Sequence, residues 1–227
     1  PCTLDEIFGR TIIVPDAKRP VRIVPGLAQR LIGKPDVMRG EETQIAGAVG
    51  GLGGGRHVVC MPGTHSKWVE IDDGTVTRFT SWMTGELFNV FASHSILVHA
   101  VGDAAKSVSV SDPAFADGLQ LGLDEPDRVT SLTFGIRAAT LLHGLQPKDA
   151  AARLSGLLVG AEIAAARSRY LGDGRDVVLV ASGGLRAVYE MARQQAGLAV
   201  KIVDADEAVR AGLVRAARVN GMLPEGA

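Results

Sequence analysis

Apolar runs separated by turn-forming residues predict an α/β fold. Two short β-branched runs bounded by prolines, residues 11–14 and 21–24, predict strands or extended segments, and a Pro25-Gly26 turn follows them. Residues 38–49 predict a turn that leads into a helix with an acidic first turn, where the helix dipole favours negative charge. The glycine-rich stretch 50–55 is interpreted as a linker, which divides the chain into residues 1–55 and 56–227.

The remainder of the chain predicts three consecutive strands and then alternating strands and helices. The three strands are predicted at residues 57–61, 67–71 and 76–80, and an Asp73-Gly74 turn joins the second strand to the third. Helices are predicted at residues 85–97, 132–143, 151–169 and 185–195, strands at 177–181 and 200–203, one short helix within 101–128, and a last helix capped by Asp206. This order matches a ribonuclease H-like lobe, although propensity alone does not separate it from other α/β folds.

Composition and charge argue against several classes of protein. The chain of 227 residues is 46% hydrophobic and 22% charged, and its net charge of −1 gives no electrostatic reason to expect a nucleic-acid or membrane partner. Its two cysteines are too few for a disulfide framework, and its five histidines lack the spacing of metal ligands. No apolar run reaches the about 18 residues that span a bilayer, and no signal peptide is recognised. We therefore expect a cytoplasmic globular protein without a metal site.

The turn Pro62-Gly63-Thr64-His65-Ser66, between the first two predicted strands of the second half, is the first candidate site. A Gly-Thr pair at the tip of a tight turn leaves backbone N–H groups and a hydroxyl exposed without a bulky side chain. This geometry suits a nucleotide phosphate. An ordinary hairpin with a Pro-Gly corner explains the same residues, so the turn alone does not decide between them.

A second candidate is Ser182-Gly183-Gly184, between a buried strand and a helix. The missing side chains would let a nucleotide lie across the strand end, near the helix N-terminus. Tight packing of the strand against the helix is the alternative. The pattern is not the six-residue dinucleotide fingerprint, so a Rossmann fold has little support.

Arg39-Gly40-Glu41-Glu42, at a predicted helix start, is the third candidate. One carboxylate could serve as a general base for a sugar hydroxyl, which requires an approach within about 2.6–3.2 Å. Successive helix residues differ in direction by about 100°, so at most one of the two glutamates can serve. Helix capping and solvated charge form the alternative explanation.

Four blocks of residues resemble the 2-dehydro-3-deoxygalactonokinase family, which comprises bacterial sugar-acid kinases of the acetate and sugar kinase, heat-shock ATPase and actin superfamily. The blocks are residues 38–48, 62–69, 83–88 with His94-Ser95, and 154–160, and they cover essentially the whole chain in the family's order. The resemblance implies a ribonuclease H-like actin/sugar-kinase fold. It makes residues 56–227 a complete C-terminal nucleotide-binding lobe, and residues 1–55 part of an N-terminal lobe with an inter-lobe helix.

The resemblance also implies roles for the candidate residues. Gly63, Thr64, His65 and Ser66 would form the second phosphate loop, and Ser182, Gly183 and Gly184 the adenosine loop. Glu41, at the position of an aspartate base in related carbohydrate kinases, is favoured over Glu42. Arg39 or Lys67 could contact the substrate carboxylate or the transferring phosphate, unless they are solvated surface charges. The implied reaction is ATP-dependent phosphorylation of the 6-hydroxyl of 2-dehydro-3-deoxy-D-galactonate, with Mg²⁺ accompanying ATP and no protein ligand assigned to it.

One expected element is missing from the start of the chain. The superfamily opens with a strand that carries Asp-x-Gly-Thr, the first phosphate loop, and no such opening strand is recognised here. We therefore expect an N-terminally incomplete kinase that is inactive alone and exposes an apolar face able to self-associate. Another carbohydrate kinase on the same scaffold and a non-catalytic nucleotide-binding remnant stay open as alternatives.

Overall fold

A mixed sheet of six strands lies at the centre of the computed structural model, which describes residues 2–15, 17–172 and 176–224. In chain order the strands are β1 (Cys2–Thr3), β2 (Ile12–Ile13), β3 (Arg22–Ile23), β4 (Leu27–Leu31), β5 (Lys34–Met38), β6 (Arg56–Met61), β7 (Ser66–Asp72), β8 (Thr75–Trp82), β9 (Val177–Val180) and β10 (Val200–Val203). The sheet has the order β1-β8-β7-β6-β9-β10. Its pairing is antiparallel from β1 to β6 and parallel from β6 to β10.

Helices cover both faces of this sheet. In chain order they are α1 (Leu4–Gly9), α2 (Glu41–Val49), α3 (Thr84–His94), α4 (Val98–Val101), α5 (Pro113–Asp124), α6 (Val129–His143), α7 (Pro147–Ala166), α8 (Gly183–Gln195) and α9 (Ala205–Val219). Because side chains alternate between the two faces of a strand, Val59 and Met61 of β6 pack in one core with α1, α2 and α9. Val58 and Cys60 pack in a second core with α5, α7 and α8. Within the described ranges, no helix is both long and apolar enough to cross a membrane.

The predicted order of elements from residue 57 onwards is confirmed over the described residues. Strands β6, β7 and β8 are followed by α3, an insert, and then β9-α8-β10-α9. The predicted cap of the last helix is wrong. Asp204, not Asp206, is the N-cap of α9, and it accepts hydrogen bonds from the backbone N–H groups of Asp206 and Glu207 at 3.0 and 3.1 Å. An N-cap side chain must precede the first turn because it has to reach the free N–H groups of that turn.

The hairpin of β4 and β5 is an addition to the predicted elements, whereas the predicted strands at 11–14 and 21–24 are confirmed as the shorter pair β2 and β3. The turn between β4 and β5 contains Gly33, whose positive φ of 80° suits glycine. Pro35 argues against a strand in the sequence, but the two-stranded pair tolerates it because one edge of β5 has no ladder to complete. Asp36 attaches the hairpin to β8, accepting hydrogen bonds from the backbone N–H and the hydroxyl of Ser81 at 2.6 and 2.7 Å.

Two glycines allow α2 and α9 to cross at very short distance. A Cβ atom added at Gly47 would lie 1.9 Å from the backbone oxygen of Ala208, and one added at Gly212 would lie 1.9 Å from that of Thr43. This crossing fixes the start of α2 beside α9. Residues before and after position 55 share one hydrophobic core, in which α2 packs against α9. The predicted domain boundary at position 55 stays a prediction.

Candidate active site

A cavity of about 620 Å³ lies where the start of α2, the turn between β6 and β7, and one side of α9 meet. Residues 39–41 line it from α2 and the preceding loop, and residues 62–65 line it from the turn. Val209 and Leu213 close it from α9. The fold therefore brings together two of the three motifs that the sequence identifies as candidates.

Glu41 is the glutamate whose carboxylate faces this cavity. Its Oε1 atom lies 3.2 Å from the Lys67 ammonium, and its Oε2 atom accepts a hydrogen bond from the backbone N–H of Arg39 at 2.9 Å. The Lys67 side chain is 5% exposed and that of Glu41 is 26% exposed, so the pair is open on the side of the carboxylate. The Lys67 ammonium also donates to the carbonyl oxygen of His65 at 3.1 Å. The carboxylate is thus held at both oxygens and joined through Lys67 to the turn.

Glu42, the alternative candidate, is buried beneath the helix start. It is 1% exposed, and its carboxylate accepts a hydrogen bond from the backbone N–H of Gly40 at 2.7 Å. Burial raises the pKa of Glu42, and the neighbouring Glu41 charge raises it further. The two side chains diverge because successive helix residues differ in direction by about 100°. The geometry therefore supports Glu41 rather than Glu42 as the group that meets a substrate.

The start of α3 supports the β6–β7 turn from behind. A Cβ atom added at Gly85 would lie 2.6 Å from the carbonyl oxygen of Gly63 and 2.9 Å from the Cα atom of Thr64. The backbone N–H of Glu86 donates to the carbonyl oxygen of Thr64 at 3.0 Å, and the Glu86 carboxylate lies 2.5 Å from Nε2 of His65. Only a glycine at position 85 permits this contact, which fixes the position of the turn.

Ser66 is separated from the other residues predicted to bind phosphate. It is 1% exposed, and its hydroxyl forms a hydrogen bond with the Tyr189 hydroxyl at 3.0 Å. The side chain therefore faces the core between β7 and α8 rather than the cavity. This position leaves the backbone of Ser66 as the part that could contact a phosphate.

Ser182, Gly183 and Gly184 lie at the end of β9, where α8 begins. Gly183 has a φ of 59°, and an added Cβ atom at either glycine would have no heavy atom within 4 Å, so the space beside both is open. The Ser182 hydroxyl donates to Asp204 at 2.8 Å, and this hydrogen bond is the main cause that lowers the pKa of Asp204. The serine thus joins the strand end to the start of α9, and the glycines provide the bare backbone that the resemblance requires.

A second cavity of about 200 Å³ connects the turn to α8. Gly63 lines both cavities. Leu185 and Val188 line the second cavity from α8, and Thr84 and Phe88 line it from α3. Its lining is more apolar than that of the first cavity, and the part contributed by α8 begins at Leu185, directly after the Gly183-Gly184 motif.

The chain does contain one Asp-x-Gly-Thr string, residues 72–75, but the fold gives it a different role. It forms the hairpin turn between β7 and β8, where Asp73 and Gly74 have φ angles of 45° and 75°. Asp73 accepts a hydrogen bond from the backbone N–H of Gly55 at 2.6 Å. This hairpin lies at the opposite end of β7 from the phosphate-loop candidate, because β7 runs from Ser66 to Asp72. The string is therefore a structural turn and not a phosphate loop of this site.

Glu162 of α7 is the functional candidate that the motifs did not identify. It is 2% exposed, and its carboxylate accepts hydrogen bonds from Trp68, Thr84 and Tyr189. The only signal in the sequence is one charged residue within the apolar run 155–166. Such a residue indicates a buried polar group, but it does not reveal the three distant donors.

No group of three or more His, Cys, Asp or Glu side chains in the described part of the chain is arranged to hold a metal ion. This arrangement does not conflict with Mg²⁺ bound through nucleotide phosphates, since Mg²⁺ in such sites keeps several waters and takes only one or two carboxylates.

Comparison with known proteins decides the family. The sequence model described as 2-keto-3-deoxy-galactonokinase matches residues 1–216. The chain belongs to this kinase family. The resemblance drawn from the four blocks is thereby confirmed, since the match covers nearly the whole chain.

Individual relatives agree with the family assignment. The chain is 52% identical over 218 residues to a protein of Rhizobium meliloti (strain 1021) named as a probable 2-dehydro-3-deoxygalactonokinase. It is 38% identical over 191 residues to the 2-dehydro-3-deoxygalactonokinase of Escherichia coli (strain K12). These alignments cover 96% and 84% of this chain, and 71% and 63% of the two relatives.

A solved structure supports the fold at high similarity. A crystal structure from Sinorhizobium meliloti, named as that of a putative 2-dehydro-3-deoxygalactonokinase, matches with a TM-score of 0.92 and 50% sequence identity. The match covers 98% of this chain and 73% of that chain. The mixed α/β architecture is therefore that of a kinase of this family.

Each of the four blocks that carry the resemblance contributes residues to at least one of the two cavities. Residues within 38–48 and 62–69 line the larger cavity, and residues within 62–69, 83–88 and 154–160 line the smaller one. In this member of the 2-keto-3-deoxy-galactonokinase family, the sequence signature and the concave surface therefore coincide.

Proposed function

We propose that this chain is a sugar-acid kinase that transfers the γ-phosphoryl group of ATP to the 6-hydroxyl of 2-dehydro-3-deoxy-D-galactonate. One observation carries the proposal, namely that a single cavity joins the Glu41 carboxylate to the turn at residues 62–65. Phosphoryl transfer requires positioned phosphate-binding groups and a group that orients the nucleophile, and this cavity offers both. Relatives at 52% and 38% identity carry this activity in their names.

In this proposal ATP extends from the end of β9 to the β6–β7 turn. Its adenosine lies at Ser182, Gly183 and Gly184, where the space beside the glycines is open. Its terminal phosphates lie at the backbone of residues 63–65, and the smaller cavity extends from this turn to α8. The N-terminus of α8 favours the negative charge of the nucleotide. Mg²⁺ accompanies ATP as a counter-ion of its phosphates, with no protein ligand assigned.

The Glu41 carboxylate takes up the proton in the reaction. The 6-hydroxyl oxygen forms a bond to the γ-phosphorus while the bond from that phosphorus to the β–γ bridging oxygen breaks, which releases ADP. The hydroxyl proton passes to Glu41, which must lie within about 2.6–3.2 Å of the hydroxyl. The Arg39 N–H and the Lys67 ammonium hold the carboxylate in one orientation, so little reorganisation is needed when the substrate arrives.

Arg39 and Lys67 receive different roles. Arg39 is exposed and lines the cavity, so its guanidinium is available for the carboxylate of the sugar acid. Lys67 is almost fully buried and already contacts Glu41 and the His65 carbonyl oxygen. It therefore acts as a positioning residue that joins the base to the phosphate-binding turn.

We assign the ribonuclease H-like actin/sugar-kinase fold to this chain. The strand order β8-β7-β6-β9-β10, with three antiparallel strands followed by parallel ones, supports this assignment. Residues 56–227 form the nucleotide-binding lobe, and residues 1–55 contribute the inter-lobe helix and part of the other lobe. Closure between lobes would exclude water from the transferring phosphate. Because the proposed reaction consumes ATP, we propose a cytoplasmic location for the enzyme.

A coupled assay of ADP release tests the proposal on the product of the whole reading frame. We expect turnover with 2-dehydro-3-deoxy-D-galactonate and ATP, and ³¹P NMR should locate the new phosphate ester at O6. Glu41→Gln should reduce kcat by at least about 100-fold, the size of a general-base contribution. Glu125→Gln, a surface control that removes the carboxylate partner of Arg128, should leave kcat unchanged.

Other results would identify the alternatives. Turnover with a different sugar acid, and none with the galactonate derivative, would indicate another carbohydrate kinase. Nucleotide binding without turnover on a panel of sugar acids would indicate a non-catalytic nucleotide-binding protein. Wild-type kcat in Glu41→Gln would remove Glu41 from the mechanism.

A further inference from the structure

The carboxylate of Glu162 lies at the meeting point of three segments that converge from distant parts of the sequence. Its Oε1 atom accepts a hydrogen bond from the indole Nε1–H of Trp68 at 2.8 Å. Its Oε2 atom accepts one from the Tyr189 hydroxyl at 2.8 Å and another from the Thr84 hydroxyl. Trp68 is in β7, Thr84 begins α3 and Tyr189 is in α8. One buried side chain on α7 thus connects three elements.

Each of these three elements carries one part of the proposed nucleotide site. Strand β7 continues from the phosphate-binding turn, and its first residue, Ser66, contacts Tyr189 directly. Helix α3 places Gly85 against the backbone of that turn. Helix α8 begins at the adenosine motif, and Tyr189 and Thr84 both line the smaller cavity. Two of the three hydrogen-bond partners of Glu162 therefore line the smaller cavity beside the path proposed for ATP, and the third lies on the strand that continues from the turn.

Stability alone does not explain an acidic residue at this position. Burying a carboxylate costs free energy even when it is hydrogen-bonded, and apolar replacements of buried polar groups are often neutral or stabilising. Burial raises the pKa of Glu162, and its hydrogen bonds with Thr84, Trp68 and Tyr189 only partly oppose this increase. A fully ionised carboxylate is acceptor-only, so it can receive all three donors at once. These features favour a role in geometry.

We propose that Glu162 is a positioning residue that fixes the phosphate-binding turn and the adenosine helix relative to each other. This inference rests on the proposed kinase function for its catalytic consequence, but the coupling between the two segments is a property of the free protein. Loss of the carboxylate would leave the indole N–H of Trp68 without its acceptor, and the turn and α8 would move independently. ATP spans both segments, so it would bind less tightly, whereas the sugar acid at Glu41 would be little affected.

The test compares Glu162→Met with Glu70→Met. Methionine has nearly the length of glutamate but no oxygen to accept the three hydrogen bonds, whereas the amide oxygen of glutamine could still accept from the indole N–H while its NH₂ group donated to the two hydroxyls. Glu70 is also a buried carboxylate on β7, but the hydrogen bonds that it accepts from Thr77 and Arg78 lie away from both cavities, so Glu70→Met is the matched control. Hydrogen–deuterium exchange of the free protein and steady-state kinetics with each substrate varied give two independent readouts.

We expect Glu162→Met to accelerate exchange in residues 62–66 and 183–189 by about tenfold, the effect of one buried donor that loses its acceptor. The KM for ATP should rise by a similar factor while the KM for the sugar acid stays unchanged. Glu70→Met should change neither quantity. Unchanged exchange in Glu162→Met would overturn the inference whatever the activity. Equal increases in both KM values would also overturn it, since they indicate a general structural role. If the wild-type protein showed no kinase activity but the Glu162 variant still exchanged faster in these segments, the proposed function would be refuted and the coupling supported.

Discussion

Gly85→Ala tests whether α3 sets the position of the proposed phosphate-binding turn, residues 62–65. The new methyl carbon would lie 2.6 Å from the carbonyl oxygen of Gly63 and 2.9 Å from the Cα atom of Thr64, where ordinary contacts begin at 3.4 Å. Both partners are backbone atoms, so a side-chain rotation cannot relieve the overlap. The turn and the helix must therefore separate by about 0.8 Å along the shorter contact.

This separation has a cost in stability and a larger cost in catalysis. Overpacking of this kind costs about 1–3 kcal/mol, and the better helix propensity of alanine returns at most about 1 kcal/mol. The hydrogen bond from the Glu86 N–H to the Thr64 carbonyl oxygen, now 3.0 Å long, would stretch and weaken. Misplacement of a reacting group by about 1 Å can reduce the rate by about 100-fold. We therefore expect kcat/KM for ATP to fall by about 10- to 100-fold. The free energy of unfolding should decrease by about 1–2 kcal/mol.

Steady-state kinetics and chemical denaturation of the same preparations measure the two effects. Gly135→Ala is the matched control, because a Cβ atom at this position in α6 meets nothing within 4 Å. This control should stabilise the protein by about 0.4–1 kcal/mol and leave kcat/KM unchanged. If Gly85→Ala lost stability but retained wild-type kcat/KM, the turn would not depend on α3 for its position, and the reasoning would be refuted.

Two further predictions concern the charged groups around the helix start. A double-mutant cycle of Lys67→Met and Glu41→Gln, measured by denaturation, should give a coupling free energy of about 1 kcal/mol, because the Lys67 side chain is 5% exposed and its ammonium lies 3.2 Å from the Glu41 carboxylate. A coupling below about 0.3 kcal/mol would show that the ion pair does not hold the Glu41 carboxylate in place. Glu42→Gln should become more stable relative to the wild type as the pH rises above the ordinary glutamate pKa of 4.5, because burial raises the pKa of Glu42 and only the wild type must lose a proton inside the protein. Denaturation curves across this range should show no difference in pH dependence if Glu42 is solvated in the native protein.

The candidate site was predictable where its chemistry is local. The Gly63-Thr64 turn and the Gly183-Gly184 strand end are each short runs whose backbone freedom follows from the residues themselves. The burial of Ser66 was not predictable in this way, since its hydroxyl points to Tyr189, a residue 123 positions away. The cap of α9 was misplaced by two residues because aspartates at positions 204 and 206 both fit a helix start, and only the backbone geometry distinguishes them.

The sequence by itself determined the order of strands and helices from residue 57 onwards, the three glycine- or acid-containing motifs and the resemblance to the family. These properties depend on hydrophobic periodicity and on residues close together in the chain, so they can be inferred without knowing any tertiary contact. Only the tertiary structure decided that Glu41 and not Glu42 faces the cavity, and that the buried Lys67 pairs with the Glu41 carboxylate. It alone revealed the donors that converge on Glu162. Such arrangements depend on how α2, α7 and α8 pack against the sheet, and packing joins residues that no local pattern relates.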